Sequence, residues 1–236
     1  MQARIKEKRE VAKGTLLVTF DLLGEEVDFR PGQYFFVTLP DVGHQDDKGL
    51  RRHITAVTSP NERGVLGLAT RMRDSAFKRS LRELPVGAEV DVEAPKGKFA
   101  LPEDPSRPLV FVAGGIGITV FRSMLRYIRE DRLPYRVTLI YSNRDRESTA
   151  FLDELRELEQ ELPDLRLILT MTQDPSWNGE TRRIDPRFFS DYLGDDLNRF
   201  TFLVAGPPAM AEAVQKALDE AGVKEENVIA ERFSGY

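Results

Sequence analysis

Leu109-Val-Phe-Val-Ala-Gly-Gly-Ile-Gly-Ile-Thr119 is a short apolar run that breaks into glycines and then into a helical pattern. An apolar run of this length, bounded by turn signals, predicts a buried strand. Gly114, Gly115 and Gly117 follow at once, and Ile118, Phe121, Leu125 and Ile128 then recur at helical spacing. The order is strand, glycine turn, helix. In such a turn the amides at the start of the helix face outward at its positive end, and glycine lets a diphosphate approach the backbone. A tight strand-to-helix connection with no ligand accounts for the same residues. On this stretch alone the two readings stand level.

Downstream the alternation continues. Strands are predicted over 136–142, 165–172, 200–205 and 227–232. Helices are predicted over 118–132, through Phe151, Leu155, Leu158 and Leu162, over Phe189 to Leu193, and through Met210, Val214, Ala217 and Leu218. Strands alternating with helices predict a parallel α/β sheet. A second phosphate-friendly turn, Gly206-Pro207-Pro208 running on to Met210, follows the strand that ends at Ala205. Ligands of open α/β sheets sit beyond the carboxyl ends of the strands, where both turns lie. The three-glycine dinucleotide fingerprint is incomplete, because Val120 stands where its third glycine belongs. The second strand runs out as Tyr141-Ser142-Asn143-Arg144, without the acid that takes an unphosphorylated ribose. A hydroxyl and an arginine at that point suit a 2′-phosphate and favour NADP over NAD.

Upstream, the pattern is of short strands and frequent turns. Gly14 to Leu22, Tyr34 to Leu39, Arg51 to Ser59, Val65 to Met72 and Glu89 to Ala94 read as strands, with a polar loop over 40–49. Ser75 is placed to cap a short helix from Ala76 to Leu84, whose Phe77, Leu81 and Leu84 share a face. These elements predict a small antiparallel barrel. Leu101 to Pro108 carries three prolines and reads as a linker, which divides the chain into domains over 1–100 and 108–236.

Composition narrows the function. The 236 residues are 41% hydrophobic and 31% charged, with a formal net charge of −5. That balance gives no general attraction for nucleic acid or an anionic membrane. With 0 Cys, no disulfide, thiolate metal site or cysteine-held iron–sulfur cluster is expected, and with 2 His, His44 and His53, neither is a zinc site. No apolar run approaches a membrane span and the first residues lack a signal-peptide core, so a soluble cytoplasmic protein is expected.

Taken in order, these pieces resemble the ferredoxin–NADP reductase superfamily of flavoproteins. The resemblance covers essentially the whole chain. Its pieces are Pro31-Gly32-Gln33, the Arg52-x-x-Thr55 pattern, the segment around Ser75, Pro95-x-Gly97-x-Phe99, Gly114 to Thr119, Gly206-Pro207-Pro208-x-Met210 and Glu231-x-Phe233. It implies a six-stranded antiparallel β-barrel that binds FAD, followed by an α/β parallel-sheet domain that binds NADP or NAD. It places Arg52 on the flavin diphosphate and Thr55 beside flavin N5. His53, Ile54, Thr70, Arg71, Met72 and Ser75 join them around the flavin. Phe233 or Tyr236 would cover the ring, and Glu231 would supply a catalytic carboxylate to the hydroxyl of Thr55. Gly114, Gly115, Gly117, Ile118 and Thr119 would hold the nicotinamide nucleotide, with Ser142, Asn143, Arg144, Gly206, Pro207, Pro208 and Met210. The chain departs from the family at Ile54, Met72, Val120 and Ala205, where an aromatic residue, Gly, Pro and Cys are usual.

The implied activity is hydride transfer from NAD(P)H to FAD, with electrons passed on to a separate acceptor such as ferredoxin, flavodoxin or a small molecule. The alternatives are an electron-transfer subunit of a larger redox complex and an NAD(P)H flavin reductase.

Overall fold

The computed structural model describes residues 1–233; Tyr236, one of the two residues expected to cover the flavin, lies outside the described residues. Six strands form the first sheet: β1 (Gln2–Ala12), β2 (Thr15–Asp21), β3 (Tyr34–Thr38), β4 (Arg51–Thr55), β5 (Val65–Arg71) and β6 (Glu89–Val92). They pair antiparallel in the order β4-β3-β6-β1-β2-β5, and a bridge between Ala56 and Leu68 brings the two ends together into a barrel. Alternate residues of each strand face inward, so Ile5, Val18, Phe20, Phe35, Val37, Ile54 and Leu66 share one core. Helix α1 (Ala76–Glu83) adds Phe77 and Leu81 to that core. Ser75 caps it as expected, its hydroxyl accepting from the Lys78 N–H at 3.3 Å.

Strand β1 is the element the sequence hides. Its Lys- and Glu-rich run offers few apolar residues, yet it sits in the middle of the sheet between β6 and β2, with Ala3 and Ile5 buried. Lys8 on this strand donates to the carbonyls of Leu81, Arg82 and Leu84 at 3.3, 2.7 and 2.6 Å. A cation there suits the negative end of α1.

The second sheet holds β7 (Leu109–Gly114), β8 (Val137–Asn143), β9 (Leu165–Met171), β10 (Thr201–Gly206) and β11 (Val228–Arg232), all parallel, in the order β11-β10-β7-β8-β9. Helices α2 (Ile118–Glu130) and α3 (Leu152–Glu161) pack on the face of Phe111, Leu139 and Leu203. Helices α4 (Pro186–Leu193) and α5 (Pro208–Glu220) cover the face of Val110, Val112 and Val204. Leu17, Val57 and Ala69 of the barrel join the α2 cluster, so one apolar core runs from barrel to sheet through that helix. Among the described residues, no helix is long and apolar enough to cross a membrane.

Candidate functional site

The chain builds outward from β7 through β8 to β9, then returns to add β10 and β11 on the other side of β7. The crevice above β7 and β10 is therefore the point where the strand order reverses, and ligands of open α/β sheets bind at such points. Both glycine turns flank it. A Cβ on Gly114 would lie 2.8 Å from the Met210 sulfur, and one on Gly206 would lie 3.2 Å from the Gly114 Cα. Only bare backbone lets the two turns approach so closely. Gly115 has φ +51°, a left-handed conformation that glycine adopts without strain.

Above the turns lies a cavity of about 730 Å³. Gly114, Gly115, Ser142, Asn143, Arg144, Pro207, Pro208, Met210 and Phe233 line it from the parallel-sheet side. Arg71 and Met72 line it from the barrel, and Arg71 donates to the Ser148 carbonyl at 3.2 Å across the cavity wall. Gly117, Ile118 and Thr119 lie beneath it, buried, with the Thr119 hydroxyl bonded to the Ile116 carbonyl at 3.0 Å. Their part is to shape the turn. Lys13, Gly14 and Thr172 also line the cavity; nothing in their local sequence marked them.

A second cleft, of about 470 Å³, opens at the N-terminus of α1. Arg52 and Ser75 line it, with Asp46, Asp47, Lys48, Arg73, Asp74 and Lys78. The Arg52 guanidinium donates from one nitrogen to the carbonyls of Lys48, Gly49 and Arg51 at 2.6, 2.9 and 2.9 Å. Its other terminal nitrogen is buried and lies 3.6 Å from the Asp46 carboxylate. The same carboxylate accepts from the Ala76 N–H at 2.7 Å, a bond that holds it below the ordinary carboxylate range, with Arg52 adding to the effect. Burial, then Arg73, Arg52 and Lys48, bring Lys78 down to about 8. The chain's own anion thus rests on a guanidinium and a helix N-terminus, the pair of donors a diphosphate requires. Asp46 and Lys48 come from the loop over 40–49, and its polar sequence gave no sign that it folds back onto α1.

Thr55 is 3% exposed at the end of β4, and Thr70 is buried at the end of β5 with its hydroxyl unbonded. His53 stands on the outer face with Tyr34 and Phe36, at 5.4 and 5.8 Å between rings. Ile54 points into the barrel core opposite Phe35 and lines neither cleft. The strand keeps its alternation through this pattern, without the bend that would bring Ile54 to a bound ring.

Glu231 pairs with Ala205 in register, which turns its side chain toward the α2 face of the sheet. Its Oε2 is buried without a partner, and desolvation pushes the carboxyl up to about 7. No hydrogen bond joins it to Thr55 among the described residues. Its titration has a definite sign. The ordinary value is 4.5, so the folded protein holds the extra proton between 4.5 and about 7, and stability falls as pH rises through that interval. Glu231→Gln should match the parent at pH 4 and exceed it at pH 8 by about 2 kcal/mol, allowing for the water that still reaches the group. Urea unfolding at the two pH values measures it; an equal difference at both would remove the buried acid.

Residues 2–101 match the oxidoreductase FAD-binding domain family, and residues 111–216 match the oxidoreductase NAD-binding domain family. The chain belongs to the ferredoxin–NADP reductase superfamily. Its FAD-binding and NAD-binding domains are the barrel and the parallel sheet described above. Superfamily relatives include methane monooxygenase component C of Methylosinus trichosporium, 32% identical over 155 residues. That match takes in 65% of this chain and 44% of the relative, so this chain spans less than half of that protein. The γ subunit of sulfhydrogenase 1 from Pyrococcus furiosus is 28% identical over 87% of this chain and 68% of its own. In fold, a ferredoxin NADP+ reductase from Neisseria gonorrhoeae with bound FAD and NADP superposes with a TM-score of 0.81, at 19% identity and 98% coverage of both chains.

The residues present fit both groups. The α1 cleft already holds an anion, and the switch-point turns form a cradle that any Cβ on Gly114 would fill.

Proposed function

We propose that this chain is an NAD(P)H-dependent reductase that loads FAD and passes its electrons to a separate acceptor protein, with residues 1–100 as the flavin unit and 108–236 as the nucleotide unit. When bound, the two cofactors supply hydride exchange between nicotinamide C4 and flavin N5. The observation that carries the reading is the 730 Å³ cavity, walled by Gly114, Gly115 and Pro207 on one side and by Arg71 and Met72 of the barrel on the other. A cavity shared between the two units is where two ring systems can meet.

The side chains divide the work. Arg52, Lys48, Lys78 and the α1 N-terminus hold the flavin diphosphate, with the Ser75 cap keeping that terminus in place. Thr55, buried at the end of β4, supplies the hydroxyl assigned to the flavin ring, although it lines neither cleft. The glycine turn and Gly206-Pro207-Pro208 bind the nucleotide and exclude water, Phe233 closes the cavity beyond β11, and Glu231, whose buried carboxyl is pushed up to about 7, keeps its proton at and just below neutral pH. The buried faces position and dehydrate the reacting rings.

Ser142 and Arg144 support NADP as the preferred nucleotide. Arg144 is exposed at the cavity mouth, so its contribution is modest. Arg144→Ala should raise the NADPH KM about tenfold and leave that for NADH unchanged, the loss of one charge-assisted contact. Equal effects on both nucleotides would reverse the assignment.

A second reading is favoured by one observation: two relatives are named as a component and a subunit of larger enzymes. In that reading the chain serves a partner complex and turns over slowly alone. Steady-state oxidation of NADPH and NADH with an artificial acceptor, ferredoxin, flavodoxin and free flavin tests both. Fast turnover with the artificial acceptor by the isolated chain supports the reductase. Reduced flavin released into solution would point instead to a flavin reductase.

A further inference from the structure

Helix α2 starts at the glycine turn and runs along the barrel. Five residues after Gly117, it carries Arg122, which is 5% exposed. Its Nη1 donates to the Val57 carbonyl at 2.6 Å and its Nε to Glu154 of α3 at 2.8 Å, while the guanidinium lies 4.8 Å from the Phe151 ring centre. The next residue, Ser123, donates its hydroxyl to the Thr58 carbonyl at 2.6 Å. Both acceptors belong to the barrel, two and three residues beyond Thr55.

That short segment is itself held from the other side. The Val57 N–H donates to the Gly67 carbonyl at 2.8 Å, and the Gly67 N–H donates to the Thr58 hydroxyl at 3.1 Å. A Cβ on Gly67 would lie 2.9 Å from both Val57 and Thr58 side chains, so β5 and this segment are in close contact. The joint that closes the barrel is thus gripped by β5 below and α2 above. Further along, Arg126 pairs with Glu62 at 3.4 Å and Asn61 donates to Asp131 at 2.6 Å, on the rim of the same contact.

We propose that Arg122, together with Ser123, is a positioning residue: it fixes the separation between the end of β4 at Thr55 and the nucleotide turn at Gly114–Gly117. The proposal rests on the reductase reading for its catalytic consequence, but not for its geometry. A buried guanidinium is costly unless its donors are met, and apolar packing would join the two units at lower cost. What apolar packing lacks is direction. Two short hydrogen bonds to consecutive backbone carbonyls set both the distance and the rotation of α2 against the barrel. From Arg122 to Gly117 is little more than one helical turn, so a shift at the clamp is carried directly to the cradle. Hydride transfer is sensitive to displacements of that size, with about 1 Å costing up to about 100-fold in rate.

The chain has 0 Cys, so an introduced pair labels cleanly. Val86→Cys on the barrel and Lys216→Cys on α5, both exposed, report the separation of the two units by electron–electron spin distance measurement. The parent should give one narrow distribution and Arg122→Gln a broad or displaced one. In rapid mixing with saturating nucleotide, Arg122→Gln should reduce the flavin about 10- to 100-fold more slowly, while FAD and nucleotide affinities stay within about threefold. Arg122→Lys, which can reach one carbonyl, should recover part of the rate. An unchanged distance distribution together with an unchanged reduction rate in folded Arg122→Gln overturns the proposal. If that variant does not fold, Ser123→Ala decides by the same two readouts, broadening expected and identity with the parent contradicting. Failure of the parent to take up FAD would sink the reductase reading, and the distance measurement would still judge the clamp.

Discussion

Arg52→Ala should weaken FAD binding about 100-fold, close to 3 kcal/mol for a charge-assisted contact made from a partly buried guanidinium. Two effects add. The substitution removes the guanidinium that the proposed site sets against the diphosphate, and it frees the loop carrying Asp46 and Lys48, which Arg52 ties through the carbonyls of Lys48, Gly49 and Arg51. Arg52→Lys keeps the charge and loses the fork, so an intermediate loss of about tenfold is expected. Lys78 gives the site a pH signature. A bound anion raises a neighbouring ammonium, here from the lowered value of about 8 that Lys78 has without ligand, so binding takes up a proton near and above that pH and weakens as pH rises. Titration of the flavin-free protein, followed by quenching of flavin fluorescence, measures all three effects. An FAD affinity for Arg52→Ala within about threefold of the parent would place the diphosphate elsewhere.

Gly117→Ala is the second large effect, and it acts by contact alone. The backbone at Gly117, φ −59° and ψ −13°, is one alanine adopts freely. A Cβ there would lie 2.2 Å from the Ala205 carbonyl oxygen and 2.5 Å from its carbon. The obstacle is the backbone of a central strand and cannot swing away. Overpacking of this kind costs about 3 kcal/mol, which for a chain of this size lowers Tm by about 6–12 °C. Whatever relief the turn finds must move Gly114–Gly117 away from β10, so nucleotide affinity should fall with stability. Calorimetry and NADP+ titration check the two together. A variant as stable as the parent would mean that the close approach of turn and strand is absent in solution.

How much was legible follows from how local each signal is. The alternation from Leu109 to Arg232 marked every strand and helix of the second sheet, because β7, β8 and β10 are largely buried apolar runs, β9 and the edge strand β11 keep mostly β-branched and apolar residues, and the helices carry one apolar face each. The barrel was legible from turns and short apolar strands, except β1, whose Lys and Glu residues face outward from a central position that only the paired strands define. Ser75 gave α1 its start through capping chemistry. Gly114 and Gly206 pointed to a cradle, but only the strand order placed them side by side. Ile54 was assigned toward a flavin by likeness, and strict alternation buried it in the barrel core. Asp46, Arg122 and Ser123 were silent because their partners lie far along the chain: Ala76 and Asp46 are 30 positions apart, and Val57 and Arg122 are 65. No spacing rule reports a loop folding onto a helix or a helix gripping a barrel joint.

In the proposed reductase, one chain brings NAD(P)H and FAD together across the shared cavity. The most direct test mixes FAD-loaded protein with NADPH, and separately with NADH, in the absence of oxygen while the flavin absorption band is followed. Stoichiometric bleaching by at least one nucleotide, faster with NADPH and reversed by an added electron acceptor, is the predicted result. A flavin band unchanged by both nucleotides in protein that retains its FAD would contradict the account.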